Sequence, residues 1–337
     1  MYWRSSIRLP RSCLKQRELT NLKQSQRPPR PQVPQITAGF LNVSKNPGMT
    51  SMDVLRQIKR ITGQKKVGHG GTLDPDATGV LPVAIGKATR FLDLVLSGGK
   101  TYVIMVKLGS ATNTYDASGE ITESSDASGV TREMVGDALD NFRGDIKQIP
   151  PMFSALKRDG VSLYKLARQG IEVEREARPV TVHRLSITSW DHPAFGLEIE
   201  CSSGFYARSL AHDVGAAVGT HAHLTTLVRT KASGFEIDSA VSLDDLESLA
   251  SKERWQDAIL PIDVVLSELP SVNMNPLTED QIRNGQSVRA TSIEVDTTNV
   301  QEGDLVRVYD SDGAFIATAK YDPTGPWWKP DKVISPA

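Results

Sequence analysis

The chain has 337 residues, 39% of them hydrophobic and 23% charged, a net charge of −1, and two cysteines, Cys13 and Cys201, far apart in sequence. Those figures describe a globular protein of two domains or one large domain with an appendage. They exclude a helical membrane span, for lack of a long enough apolar run, and a disulfide scaffold or Cys-based metal site, and they fit a reducing compartment. The near-zero charge is an average: residues 39–110 carry ten Lys/Arg against four Asp/Glu, whereas residues 234–304 carry four against fifteen. One part of the chain can meet phosphate while another keeps it soluble.

Residues 1–38 hold eight basic side chains and one acid, with Arg27-Pro28-Pro29-Arg30-Pro31 near the end. Such a stretch cannot bury a core and is expected to be a disordered, non-catalytic tail. Its Arg-rich character also fits an organellar transit peptide, which would place the protein in the mitochondrial matrix rather than the cytoplasm. Folded structure is expected from Gly39 with a short strand to Val43. A turn, Ser44 to Ser51, follows, with Thr50 or Ser51 as helix N-cap. Met52, Leu55, Ile58 and Ile61 recur at helical spacing, so residues 52–62 predict an amphipathic helix whose outer face carries Arg56, Lys59 and Arg60.

Next comes the most distinctive stretch, Val67 to Pro82, V-G-H-G-G-T-L-D-P-D-A-T-G-V-L-P. Glycines at this density let the backbone approach a bulky ligand. Pro75 biases Asp74 away from the helical region, so its carboxylate is presented on a stiff loop. An Asp-Pro turn with a local hydrogen bond is the plainer alternative. Val80 to Ile85 is apolar, Ala88 to Leu96 reads as a helix, and Lys100 to Leu108 alternates as a strand with Tyr102 near its start. Tyr102 reads equally well as a core aromatic or a site residue. Thr112 to Gly119 is a polar connection.

Pro150 to Lys157 opens a segment in which Phe153, Lys157, Tyr164 and Arg168 mix aromatic and basic groups, as single-stranded nucleic acid prefers; it contains a short helix, Ser162 to Gln169. Leu185 to Trp190 and Phe195 to Cys201 pair as strands and lead to Ser202-Ser203-Gly204-Phe205-Tyr206-Ala207-Arg208. Arg208 falls at a strand-to-helix junction, where its planar fork can reach a carboxylate or phosphate. His212, His221 and His223 lack the spacing and partners of a metal site. Leu224 to Thr230 closes this region. Past a boundary near Leu269-Pro270, Gly285 to Val288, Leu305 to Asp310 and Ala314 to Tyr321 read as short strands of a small barrel.

In this order, G-H-G-G-T-L-D-P-D-A-T-G-V-L-P, K-T-Y, P-P-M-F-S-A-L-K and C-S-S-G-F-Y-A-R-S-L resemble the TruB family of tRNA pseudouridine synthases, from about Gly39 to Lys231 and more weakly beyond. The resemblance implies an α+β fold: a mixed, mainly antiparallel central sheet flanked by helices over residues 39–268, and a PUA-like β-rich domain over 269–337. It implies Asp74 as catalytic aspartate, Tyr102 as active-site tyrosine and Arg208 as the aspartate's partner. It makes His69 a contact to the T loop and residues 150–180 an insertion gripping the TΨC arm. Lys45, Gly70, Tyr206, Phe153, Lys157, Arg168 and Arg229 join the expected RNA contacts. Where the family has Lys-Pro, this chain has Lys45-Asn46-Pro47-Gly48, which leaves the shape of that turn open.

The implied reaction converts uridine to pseudouridine at position 55 of tRNA, with neither metal nor cofactor, by a monomer without obligatory protein partner. Two other functions compete: the catalytic subunit of a guide-RNA particle, and a tRNA-folding chaperone. A glycosidase would want two carboxylates flanking the bond, and Asp76 stands only two residues from Asp74.

Overall fold

The computed structural model describes residues 38–290, 301–325 and 327–334. The expected tail, residues 1–38, falls outside them except for Ala38. In chain order the elements are β1 (Gly39–Lys45), α1 (Ser51–Thr62), β2 (Val67–His69), β3 (Thr78–Ile85), α2 (Leu92–Ser97), β4 (Lys100–Leu108), β5 (Ser110–Thr112), β6 (Ile121–Ser124), α3 (Arg132–Leu139) and β7 (Gly144–Gln148). The small hairpin β8 (Lys157–Arg158) and β9 (Val161–Ser162) precedes α4 (Leu163–Ala167), β10 (Arg178–Asp191), β11 (Ala194–Cys201), α5 (Ala207–Ala217), β12 (Ala222–Ala232), β13 (Phe235–Glu236) and α6 (Leu243–Ser251). The C-terminal elements are β14 (Ser271–Asn273), α7 (Pro276–Arg283), β15 (Val288–Arg289), β16 (Leu305–Tyr309), β17 (Phe315–Asp322) and β18 (Trp327–Val333).

The main sheet runs β1-β3-β12-β4-β11-β10-β7, with β2 on β3 and β13 on β12. It is antiparallel except where β12 meets β3, so the fold is α+β with a mixed, mainly antiparallel sheet. β11 is apolar on alternate residues, whereas β3 is buried on both faces, with Leu81, Val83 and Ile85 in one core and Val80 and Ala84 in another. Ile104 and Val106 of β4, Leu197 and Ile199 of β11, and Leu210 and Val214 of α5 share one core. Leu41 and Val43 of β1 pack with Val54, Leu55 and Ile58 of α1 and Leu246 of α6 in a second. The C-terminal strands form a separate five-stranded sheet, β14-β16-β17-β18-β15, around the fully buried Trp328.

Three elements differ from the sequence reading. β10 begins at Arg178, seven residues before the expected start, because β7 pairs with Arg178 to Val182. The expected helix Ala88 to Leu96 divides into a 3-10 turn, Gly86–Phe91, followed by the short α2. In the C-terminal region the expected strand from Gly285 shrinks to Val288–Arg289, and α7 appears ahead of it. Asn275 caps α7 with Pro276 in its first turn, a start that fits the missing proline N–H.

Candidate active site

Asp74 lies on a loop tethered on both sides. The Ser51 hydroxyl accepts from the Leu73 amide at 2.9 Å, and the Pro75 carbonyl accepts from the Gly48 amide at 3.0 Å and from Lys45 Nζ at 2.7 Å. Lys45 is 1% exposed, and its ammonium also donates to the carbonyls of Asn46 and Met49. It is therefore a lock on the Asp74 loop, and the expectation that it contacts RNA does not hold in this conformation. Gly70 is likewise structural: its amide donates to Pro82, and a Cβ there would stand 2.3 Å from the Val95 side chain.

Arg208 sits in the first turn of α5 and is 7% exposed. Its Nε lies 2.9 Å from Asp74 Oδ2, and its Nη2 donates to Oδ1 at 3.1 Å. Nη2 also donates to the Phe153 carbonyl at 2.9 Å, and Nη1 donates to the Thr114 carbonyl at 3.3 Å, with Asp116 Oδ2 at 3.6 Å. Four of the five guanidinium N–H groups thus have an acceptor within hydrogen-bond distance, with Asp116 facing Nη1 as an ion pair, which fixes the fork in one orientation. Asp116 is the residue that sequence reading missed. It lies in the stretch read as a polar connection, where its Oδ1 accepts from Thr114, the Ser118 amide and the Ser118 hydroxyl. Its only sequence signal is that turn pattern, a Thr-x-Asp-x-Ser, which says nothing of a distant arginine.

Asp74, Tyr102 and Arg208 line one cleft of about 910 Å³ with His69, Phe153, Arg168, Tyr206 and Arg229. Lys157 lies outside that lining, exposed on the β8–β9 hairpin. The Asp74 side chain remains 43% exposed to the cleft. Burial by the cleft walls raises its carboxyl above the ordinary value, with Asp116 adding to the rise and Arg208 opposing it. A paired guanidinium by itself lowers a carboxyl pKa; here the enclosing walls outweigh the pairing. Burial also raises the Tyr102 phenol, while the nearby Arg229 guanidinium pulls the other way.

Arg229 stands opposite Tyr102 in the β12–β4 register. It is 1% exposed, donates to the carbonyls of Val80 at 2.7 Å and Gly71 at 3.0 Å, and is coupled electrostatically to the Tyr102 phenol. It anchors the glycine-rich loop and the tyrosine, and in this conformation has no surface to offer a phosphate. His69 is held neutral by burial and by the charge of Arg229. Its Nδ1 faces the Gly71 amide at 3.4 Å. Tyr206 is clamped by Gln148, whose amide side chain both donates to its carbonyl and accepts from its N–H. Arg168 and Tyr164 form an exposed cation–π pair on the rim, 5.7 Å from guanidinium carbon to ring centre.

Comparison with known proteins identifies the family. Residues 59–207 match the TruB family pseudouridylate synthase N-terminal domain, residues 208–267 the tRNA pseudouridylate synthase B C-terminal domain, and residues 272–327 a PUA-like domain. A tRNA pseudouridine synthase B of Dehalococcoides mccartyi is 40% identical over 298 residues, covering 88% of this chain and 97% of its own length. The chain belongs to the TruB family. Another member, the tRNA pseudouridine synthase B of Clostridium perfringens, is 39% identical and covers 85% of this chain and 96% of its own. Among solved structures, a Cbf5-Nop10-Gar1 complex contains a chain that superposes with a TM-score of 0.69 at 28% identity, over 88% of this chain and 85% of that one. As a TruB-family protein the chain is an isomerase, a tRNA pseudouridine synthase, and its curled C-terminal sheet is the PUA-like domain.

Proposed function

We propose that this chain isomerises the uridine at position 55, in the T loop of tRNA, and that Asp74 is its catalytic carboxylate. The observation that carries the reading is the two-point pairing of Arg208 with Asp74 on a cleft wide enough for a nucleotide. The target base must first leave its stack, which costs a few kcal/mol and less for a loop nucleotide than for a paired one. Ionised Asp74, oriented by Arg208, then acts on C1′ of the everted uridine as nucleophile or as stabiliser of the electron-poor carbon. The C1′–N1 bond breaks, the uracil turns, and C5 bonds to C1′. The C5 proton departs and N1 gains one, so nothing is consumed.

The raised Tyr102 phenol keeps its proton at neutral pH. Its part in this scheme is to wall the uracil and donate a hydrogen bond rather than to accept the C5 proton. Asp74, more basic than an ordinary aspartate, is the better acceptor. The exposed Arg168 and Tyr164 border the cleft on the 150–180 segment, with Lys157 exposed on the adjoining hairpin, and together they supply charge and stacking for the RNA arm.

The test is conversion of a uridine-bearing T-arm transcript by the wild-type protein and by Asp74→Asn. The variant is expected to bind the transcript and leave it unconverted; undiminished conversion removes the assignment. The same assay addresses the guide-RNA reading, which requires that naked tRNA stay unmodified. A chaperone acting without catalysis requires that the wild type bind tRNA and modify none.

A further inference from the structure

Arg208 is held from one side by a turn whose geometry is unusual. Tyr115, between the two residues that face Nη1 of Arg208, has a φ of 63°, a left-handed conformation that a bulky L-residue adopts at a cost of about 1–3 kcal/mol unless its surroundings impose it. Its ring lies flat against the imidazole of His212, with centroids 4.1 Å apart and planes 11° from parallel. His212 is one helical turn beyond Arg208 on α5, so the stack joins the turn to the helix that carries the guanidinium. The turn is otherwise tied to β12 by main-chain bonds, Leu224 N–H to the Tyr115 carbonyl and Ala117 N–H to the Leu224 carbonyl. Those bonds hold the turn to β12, whereas the ring stack joins it to α5.

We propose that Tyr115 and His212 are a positioning pair for Arg208: their stack keeps the strained turn against α5, so that the Thr114 carbonyl and the Asp116 carboxylate meet Nη1 while Nε and Nη2 face Asp74. Neither ring need touch substrate. The imidazole is suited to stacking as a neutral ring, since burial and the neighbouring His221 disfavour its charged form while Glu123, the ion-pair partner of His221, opposes them. Its Nδ1 is buried without a hydrogen-bond partner, so the ring face is the contact that positions it. This inference rests on the reading of Asp74 and Arg208 as reacting groups.

The test compares His212→Ala, His212→Phe, Tyr115→Ala and Tyr115→Phe with wild type in single-turnover conversion and in tRNA binding. The Ala variants are expected to lose on the order of 10²-fold in rate, the scale of an ångström-sized misplacement, with tRNA Kd unchanged. The Phe variants preserve the flat contact and are expected to stay within about threefold of wild type. A second readout separates positioning from general damage. Asp74 is faced by Arg208, Asp116 and Lys45, and the lowering by Arg208 outweighs the raising by Asp116; a guanidinium that drifts from the carboxylate gives up the larger effect, so the acid limb of the rate profile moves to higher pH in the Ala variants. Ala variants that melt earlier but keep the wild-type rate and acid limb overturn the proposal. If wild type itself leaves the T-arm uridine unconverted, it is the proposed function that fails.

Discussion

At the scale of single residues, the site is a problem in holding one carboxylate charged, oriented and accessible. The pH dependence follows from Asp74. Its folded pKa is raised above the ordinary 3.8, so as pH falls the ionised, active form is lost earlier than for a free aspartate. The acid limb of kcat/KM is therefore expected above the ordinary carboxylate value, and Asp116→Asn is expected to move it down, because a neighbouring negative charge has been removed. A limb that stays put in Asp116→Asn would mean that burial alone sets it. Lys45 makes a different prediction. Because its ammonium satisfies three carbonyls, Lys45→Met is expected to cost about 1–3 kcal/mol of stability and to slow conversion through the loosened Asp74 loop. The salt dependence of tRNA binding should be unchanged, since no phosphate contact is lost. Denaturant titration and the slope of log Kd against log salt check the two halves separately.

At the scale of elements, the decisive meeting is that of β3 and β12, the one parallel pair in an otherwise antiparallel main sheet. Gly79, at φ 97°, stands opposite Arg229, and a Cβ there would approach the Arg229 carbonyl oxygen to 2.2 Å. Backbone cannot move aside as a side-chain tip can. Gly79→Ala is thus expected to displace β12 and, with it, the Arg229–Tyr102 pair; the thermal midpoint should fall and the rate should fall with it, whereas a variant with wild-type midpoint and rate would show the contact to be slack. This is also where sequence reading reached its limit. The glycines, Pro75 and the helical spacing of α1 announced the Asp74 loop and its neighbour, because turn chemistry and periodicity are local. Arg208 was legible as a junction residue, and the resemblance of four motifs linked it to Asp74. Arg229 was legible only as an expected RNA contact, since its place opposite Tyr102 depends on the β12–β4 register, which residue pattern alone does not fix. Asp116 was hidden for the same reason: its turn is local, its partner is 92 residues away.

At the scale of the whole molecule, the question is whether the PUA-like sheet is a tethered module or part of the body. The described residues favour the second. Phe315 of β17 meets Phe91 edge-on at 5.8 Å, and Phe91 is fully buried in a core with Phe40, Val80 and Val95. Around this contact, Arg90 donates to the Val333 carbonyl, Lys332 pairs with Asp93, and the Tyr309 hydroxyl donates to Asp263. The exposed Lys332–Asp93 pair should add less than about 1 kcal/mol; the aromatic contact carries the seam. On the far side of the same segment, Leu96 of α2 lines the cleft and Lys100 donates to the carbonyls of Val95, Leu96 and Gly98. The seam therefore backs the wall of the cleft that leads to Tyr102. A shared core predicts one cooperative unfolding transition for the body and the C-terminal sheet. Phe315→Ala, which removes a partly buried ring from the seam, is expected to cost about 1–3 kcal/mol and to uncouple the two, so that calorimetry resolves a second, earlier transition. Asp93→Ala should leave the single transition nearly in place. Two transitions already present in wild type would show that the sheet is held by its linker alone, and the wall of the cleft would then owe nothing to it.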